Sequence, residues 1–160
     1  MCTEFTIKTS TRKIQHALGT TASLVDIVWN QSVRLYQAAP VLRGAGPALS
    51  IDELMFSLKP PGTKYPTFNA RLASWDEARD RILPIFEKPT WKGPLERARC
   101  LVPMTSFIEP VYRGENAGRM VAFHPKDDLL FCAGLYAETT DQQTGEVYSG
   151  FALVLHTPSP

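Results

Sequence analysis

Residues 129–135 read LLFCAGL and residues 147–155 read VYSGFALVL, and these two runs decide the fold. Both are rich in the aromatic, aliphatic and β-branched residues that strands favour. Residues 141–145, which contain Asp and Gly, separate them and are typical of a hairpin turn. Shorter runs of the same kind precede them, each bounded by Gly, Pro, Asp or Asn, at 100–102, 107–108 and 120–123. The second part of the chain is therefore predicted to form a mostly antiparallel sheet or barrel.

Two helices are predicted before this β region. Residues 11–18 carry apolar side chains on one helical face and are followed by a glycine, which favours a helix end. Ser74 and Glu77 have the spacing of a capping box, so we expect a second helix over residues 75–83, ended by the proline that follows. Residues 89–94 begin and end with proline and are predicted to be a loop.

Extended segments and loops account for the remainder of the first part. Residues 24–29 and 34–36 are predicted to be extended, with Ala39-Pro40 ending the second of them. Residues 43–47 are rich in Gly and Pro and predict a loop, and residues 54–58 form a short apolar run. Together these elements predict an α+β fold with a few helices around an antiparallel sheet or barrel.

The overall charge of the chain does not indicate a nucleic-acid partner. The 160 residues are enough for one domain with a real core, and the net charge is only +1. Lys59, Lys64 and Arg71 nevertheless lie close together in sequence, as do Arg97 and Arg99, so a local phosphate-binding surface is one interpretation. The alternative is that these are scattered, solvated side chains.

Membrane association and secretion are not indicated. No stretch is apolar and long enough to span a bilayer, and the N-terminus lacks the apolar segment of a signal peptide. We expect a cytoplasmic protein, associated with the nucleoid in a bacterial cell, with the nucleus as the alternative in a compartmented cell. A monomer is favoured, although nothing in the sequence fixes the oligomeric state.

Cysteine and histidine usage argues against a metal centre and a disulfide framework. The three cysteines are an odd number without Cys-x-x-Cys spacing, and no histidine pairs with them at ligand spacing. We therefore expect no bound metal and no cofactor. The residues concerned are Cys2, Cys100, Cys132, His16, His124 and His156.

Cys2 is the first candidate for chemistry, because removal of Met1 would leave a thiol beside a free α-amine. Both groups have nucleophilic fractions at neutral pH, since their ordinary pKa values are about 8.5 and about 8. An aminothiol condenses with an aldehyde through its amine and then closes a thiazolidine ring through its thiolate. The same terminus could instead attack an amide with its amine as the base. A third interpretation is that Cys2 is merely a small residue after the start methionine.

Five short segments follow one another along the chain. They are Met1-Cys2, YQAAP at 36–40, TFNAR at 67–71, RCLVP at 99–103 with FIE at 107–109, and LLFCAGLY at 129–136. In order and spacing they resemble the segments of the SOS-response-associated peptidase (SRAP) family, and the resemblance covers essentially the whole chain.

The resemblance implies a single α+β domain over residues 1–160 with a distorted, barrel-like β core and a basic DNA cleft. It implies a sensor that cross-links covalently to the aldehyde of abasic sites in single-stranded DNA, through a thiazolidine at the N-terminal cysteine. It also implies peptidase-like self-processing that exposes this cysteine.

Four residues match the family's functional positions. Cys2 matches the nucleophile, and Glu109 matches the acidic residue that moves protons during imine formation and ring closure. Asn69 matches an amide that positions the reacting groups, and Arg71 matches an arginine that binds a phosphate beside the lesion. Taken singly, Asn69 could be a turn former, Arg71 a surface ion-pair partner and Glu109 a solvated residue.

The sequence also departs from the family pattern. Thr3 and Glu4 replace Gly-Arg after the cysteine, and Glu4 is expected to weaken phosphate contacts. Residues 59–64 replace a tryptophan-rich loop, although Lys59 and Lys64 retain positive charge there. Gln37 and Pro110 replace a family asparagine and tryptophan.

The family's closing segments, with a His-x-Arg-Met-Pro motif, are not found, so we expect a C-terminally short member. Alternatives of other classes are a non-catalytic SRAP-like protein that binds DNA or a partner, an N-terminal-nucleophile amidohydrolase using Cys2, and an unrelated β-rich interaction module.

Overall fold

A computed structural model describes residues 4–20, 25–44, 49–59, 65–140 and 145–156. Within them the chain forms twelve strands, two α-helices and a 3₁₀ turn at Ile85–Glu87. The elements are β1 Glu4–Ser10, α1 Thr11–Ala17, β2 Val28–Arg34, β3 Ala38–Arg43, β4 Ser50–Phe56, β5 Asn69–Arg71, β6 Ala73–Asp76, β7 Arg81–Pro84, α2 Pro89–Arg97, β8 Arg99–Met104, β9 Ser106–Pro110, β10 Met120–Phe123, β11 Leu130–Thr140 and β12 Val147–Leu155.

Five strands close into a barrel in the order β11-β8-β3-β4-β12, because β12 also pairs with β11. Most of the ladders are antiparallel, but β12 runs parallel to β4 and then, further along the same strand, parallel to β5. The predicted α+β fold with a mainly antiparallel, distorted barrel is thereby confirmed. The parallel pairs matter for function, since they fix where β5 lies.

A second sheet, ordered β10-β9-β1-β2, packs on the barrel. Phe5 of β1 is fully buried and meets Phe56 of β4 edge to face, with ring centroids 5.3 Å apart. Phe56 stacks in turn on Phe151 of β12, also at 5.3 Å. Aromatic pairs of this kind contribute about 0.5–1.5 kcal/mol each beyond the burial of their area. This aromatic cluster therefore holds β1 firmly against the barrel.

A smaller core lies outside the barrel and fixes β5 and α2. Ala70 of β5 and Trp91 of α2 are both buried in it, against Leu135 of β11 and Ala152 of β12. Because these side chains leave water together, the short β5 and the short α2 are anchored to the barrel wall.

The predicted strands of the second part are confirmed, as is the first helix. The runs 100–102, 107–108, 120–123, 129–135 and 147–155 fall in β8 to β12. The helix Thr11–Ala17 is capped by Ser10, whose hydroxyl accepts from the backbone N–H of Lys13, and Gly19 adopts φ +64° after it. Residues 141–144 of the predicted hairpin turn lie outside the described residues, as do residues 45–47 of the predicted loop.

The helix predicted over residues 75–83 is wrong, because this segment is the β6–β7 hairpin. Trp75 pairs with Ile82 across the hairpin. The Asp76 carboxylate accepts from the backbone N–H of Arg79 and pairs with its guanidinium, which closes the turn that residues 77–80 form. A capping box alone does not make a helix where the apolar side chains alternate and β-hydrogen bonds are available.

The loop predicted over residues 89–94 is also wrong, because α2 begins there. Pro89 occupies the first helical turn, where a missing N–H costs nothing and the fixed φ suits the helix. Burial of Trp91 supplies the tertiary packing that a helix of nine residues needs.

Pro40 does not end an extended segment as predicted. It lies inside β3, paired with Glu53 of β4. The other edge of β3 pairs with β8 only at Leu42 and Arg43, so the proline, which has no N–H to donate, sits where the second ladder has not begun. The turn comes earlier than predicted, at residues 35–36, where Tyr36 has φ +65°.

No helix in the described part of the chain has the length and hydropathy needed to cross a membrane.

Candidate functional site

Glu109 lies on β9, beside the first described residue of the chain. In the ladder between β1 and β9, Glu4 pairs with Ile108, the residue before Glu109. Glu109 is half-buried and lines a pocket of about 340 Å³, which we call the Glu109 pocket. Its other walls are mostly apolar and include Met104, Phe107, Cys132, Leu153 and Leu155.

Cys2, the predicted nucleophile, lies outside the described residues, as does Lys64. In sequence Cys2 precedes Glu4 by two residues. Lys59 is exposed and follows Leu58, whose backbone pairs with Thr67 through two hydrogen bonds of 2.6 Å.

Asn69 and Arg71 project from the same face of β5. They alternate with Ala70, which is buried in the smaller core, so period two directs both away from that core. Both line a second cavity of about 480 Å³, which we call the β5–α2 cleft. Tyr65, Thr67, Lys88 and Trp91 also line this cleft.

The end of β12 lies between the two cavities. In the parallel ladder, Asn69 pairs with Leu153 and Arg71 pairs with Leu155. The backbone N–H of Leu153 also donates to the carbonyl of Phe68, at 2.9 Å. Because Leu153 and Leu155 line the Glu109 pocket, a single strand separates Glu109 from the asparagine and the arginine. The structure thus brings three of the predicted site residues to neighbouring cavities.

Glu4 is compensated locally. Its carboxylate lies 3.1 Å from the Arg34 guanidinium and accepts a hydrogen bond from the Ser32 hydroxyl. These contacts, the hydroxyl first and the guanidinium second, lower the pKa of Glu4 below its ordinary value. The negative charge that was expected to oppose phosphate binding is therefore offset by a neighbouring cation.

Lys88 is a member of the cleft that the sequence analysis missed. It precedes α2, and its ammonium donates to the carbonyl of Arg71 at 3.2 Å. Burial, and secondarily the charge of Arg71, lower the pKa of Lys88. The sequence signal for it was Pro89, since a proline at the first helical position would have placed a helix start, and Lys88 with it, at this point.

The two described cysteines are poor nucleophiles. Burial raises the pKa of Cys100 to about 12 and that of Cys132 to about 11, so both thiols stay protonated at neutral pH. Cys132 lines the Glu109 pocket, where it contributes an apolar wall rather than a thiolate.

A selective alkylation pattern follows from these pKa values. At neutral pH, iodoacetamide is expected to modify Cys2 and to leave Cys100 and Cys132 largely intact, because their thiolate fractions are below about one in a thousand. Peptide mapping by mass spectrometry checks this, and the same protein in denaturant should react at all three. Equal labelling of Cys132 and Cys2 in the folded protein would contradict the burial argument.

Two further observations concern His156 and metal binding. His156 is exposed directly after β12. No group of three or more His, Cys, Asp or Glu side chains in the described ranges could hold a metal ion.

Comparison with known proteins agrees with this architecture. Crystal structures with the same fold include a phage-related protein from Bordetella bronchiseptica, with 22% identity over 97% of this chain and 69% of that one and a TM-score of 0.67. A protein from Bacteroides thetaiotaomicron has 20% identity over 97% of this chain and 68% of that one, with a TM-score of 0.68. A second protein from Bordetella bronchiseptica has 18% identity over 98% of this chain and 73% of that one, with a TM-score of 0.66.

At these identities the structural likeness shows the fold alone. No curated protein sequence matches the chain. The family model of the SOS response associated peptidase (SRAP) matches residues 1–160. Because that match spans the whole chain, the protein belongs to the SRAP family.

Proposed function

We propose that this protein captures the aldehyde of ring-opened abasic sites in single-stranded DNA as a thiazolidine at Cys2, after removal of Met1. The α-amine of Cys2 adds to the aldehyde carbon and one water leaves, which gives an imine. The thiolate then adds to the same carbon, and the nitrogen takes up a proton. The ring forms without any oxidant, and the only product released is water.

The observation that carries the proposal is the pairing of β1 with β9. Two peptide units keep the Cα of Cys2 within about 7 Å of the Cα of Glu4, and Glu4 pairs with Ile108, next to Glu109. A terminus tethered at this point can reach Glu109 and the pocket that it lines. Glu109 can then donate a proton to the departing water and afterwards accept one from the thiol.

Asn69 and Arg71 supply positioning and charge on the other side of β12. An amide both donates and accepts hydrogen bonds, so Asn69 suits the amine and the sugar hydroxyls. Arg71 has a guanidinium that can bind a phosphate through two parallel hydrogen bonds. Because Ala70 between them is buried, the strand holds the backbones of Asn69 and Arg71 in place and so supports a fixed distance between the two side chains.

The test uses the Met1-free protein and a single-stranded oligonucleotide with one abasic site. We expect an adduct that survives denaturing electrophoresis and whose mass equals the sum of both molecules minus one water. The matched control is an oligonucleotide whose abasic aldehyde has been reduced to an alcohol, which should give none. The absence of an adduct with the aldehyde, when the terminus is verified free, would overturn the proposal.

Glu109→Gln is expected to slow adduct formation by about 100-fold or more, because general acid–base catalysis usually contributes at least that much. The final yield should be unchanged, since glutamine alters the path and not the product. Single-turnover time courses measure both quantities. Glu115→Gln, an exposed carboxylate in the loop between β9 and β10, is the matched control. Equal rates for the two variants would remove Glu109 from the proton path.

A second candidate function is hydrolytic self-processing, in which Cys2 takes part in removing Met1. The family description as a peptidase favours it. The test of self-processing is the intact mass of protein freshly made by an in vitro translation system that contains no methionine aminopeptidase. Loss of Met1 there would support self-processing. Capture of abasic sites in cellular DNA would take place in the cytoplasm, at the nucleoid in a bacterial cell.

A further inference from the structure

We infer that Lys88 and Arg71 together form a binding site for one phosphodiester of single-stranded DNA in the β5–α2 cleft. This inference deepens the proposed function and rests on it for the identity of the ligand. It adds Lys88, which lies outside every motif that pointed to the site.

The first observation is the geometry of the two cations. Both line the same cleft of about 480 Å³, and the Lys88 ammonium is 3.2 Å from the Arg71 carbonyl. This hydrogen bond ties the start of α2 to the end of β5 and holds the Lys88 ammonium beside the backbone of Arg71. A donor held in this way loses little conformational entropy when an anion binds.

The second observation is the charge balance. Among the described residues, neither Lys88 nor Arg71 makes an ion pair, whereas Arg12, Arg34, Arg43, Arg79 and Arg81 each pair with a carboxylate. The two cations thus line the same cleft, Lys88 half-buried and Arg71 exposed, and no carboxylate of the described residues pairs with either. Like charges repel more strongly where water is partly excluded, so a bound anion would relieve that repulsion.

The third observation favours a nucleic acid strand over a small anion. Tyr65 lines the same cleft and leaves 70% of its surface exposed. Sites for single strands combine cations that follow the backbone with aromatic rings on which bases stack. An inorganic phosphate would use the cations but gain nothing from the ring. The cleft also adjoins Asn69, so the phosphate held here would flank the captured sugar.

The experiment measures binding to a single-stranded oligonucleotide that has no abasic site, by fluorescence anisotropy over about 50 to 200 mM salt. Lys88→Gln keeps a donor for the Arg71 carbonyl but removes the charge. We expect about three- to tenfold weaker binding and a salt slope smaller in magnitude by about 0.7, the change for one phosphate contact to a single strand. Lys88→Arg should keep the slope. Lys92→Gln, on the exposed side of the same helix, should leave both quantities unchanged.

Oligonucleotides with a neutral methylphosphonate at successive positions then locate the phosphate. One position should weaken binding to the wild type more than binding to Lys88→Gln, in which Arg71 alone still contacts that phosphate. The inference is overturned if Lys88→Gln matches Lys92→Gln, if its affinity falls without a change in salt slope, if every methylphosphonate affects both proteins alike, or if the wild type binds no DNA at low salt. Because these measurements need no aldehyde, a failure to cross-link leaves them interpretable, and their failure leaves the adduct test intact.

Discussion

Cys2→Ala is expected to form no denaturation-resistant adduct with abasic single-stranded DNA. Alanine is also small, so Met1 can still be removed and a free α-amine remains. This amine can form an imine with the aldehyde, but without the thiol it cannot close the ring. The imine hydrolyses under denaturing conditions, whereas the thiazolidine persists.

Borohydride distinguishes the imine of Cys2→Ala from the thiazolidine of the wild type. Added during the reaction, it reduces an imine to a stable secondary amine, so Cys2→Ala should yield an adduct only in its presence. Denaturing gels with and without borohydride, read beside the wild type, provide the measurement. A Cys2→Ala adduct as abundant and as stable as that of the wild type in the absence of borohydride would refute ring closure by the thiol.

Gly150→Ala is expected to lower the free energy of unfolding by about 3 kcal/mol or more, the largest stability effect that we predict. A Cβ at this position would lie 2.0 Å from the carbonyl oxygen of Ser57 and 3.1 Å from the ring of Tyr148. The obstacle is backbone, so relief requires β12 to move away from β4. The same carbonyl accepts a hydrogen bond from the Tyr148 hydroxyl at 2.8 Å, which that movement would strain.

Gly93→Ala is the matched control, because it adds the same methyl group in the opposite situation. Gly93 lies inside α2, and apart from its two chain neighbours and the backbone of its own helix, no described atom lies within 4 Å of its prospective Cβ. Because Pro94 follows and its ring disfavours a Cβ on the preceding helical residue, the usual gain of a helix-interior alanine is partly cancelled. Alanine there should change the free energy of unfolding by less than about 1 kcal/mol. Urea denaturation of both variants measures the difference. A Gly150→Ala protein as stable as the wild type would show that β4 and β12 are not held this closely.

The β core was predictable because its signal is local. The runs that form β8 to β12 are rich in strand-forming residues, and each run is bounded by Gly, Pro, Asp or Asn. The helix Thr11–Ala17 likewise has its own cap and its own glycine stop. Barrel closure was not encoded locally, since β12 pairs with its sequence neighbour β11 on one side and, on the other, with β4, which lies far away in the chain.

The β6–β7 hairpin shows where local signals mislead. Ser74 and Glu77 have helix-capping spacing, yet Leu83 is buried and the backbone N–H of Ile85 donates to the carbonyl of Leu72 at 2.7 Å. The hydrogen bond extends the β6–β7 ladder beyond the Ala73–Pro84 pair. Tertiary hydrogen bonding and burial therefore overrode a weak propensity.

By itself, the sequence determined the chemistry that is possible and the family to which the chain belongs. It contains an aminothiol precursor at Cys2 and presents Asn69, Arg71 and Glu109 in recognisable order, because side-chain reactivity and motif spacing are properties of the chain alone. The tertiary structure decided which groups share a cavity. The end of β12 separates Glu109 from Asn69, and the start of α2 brings Lys88 to Arg71, because burial and strand register are settled only when distant segments pack together.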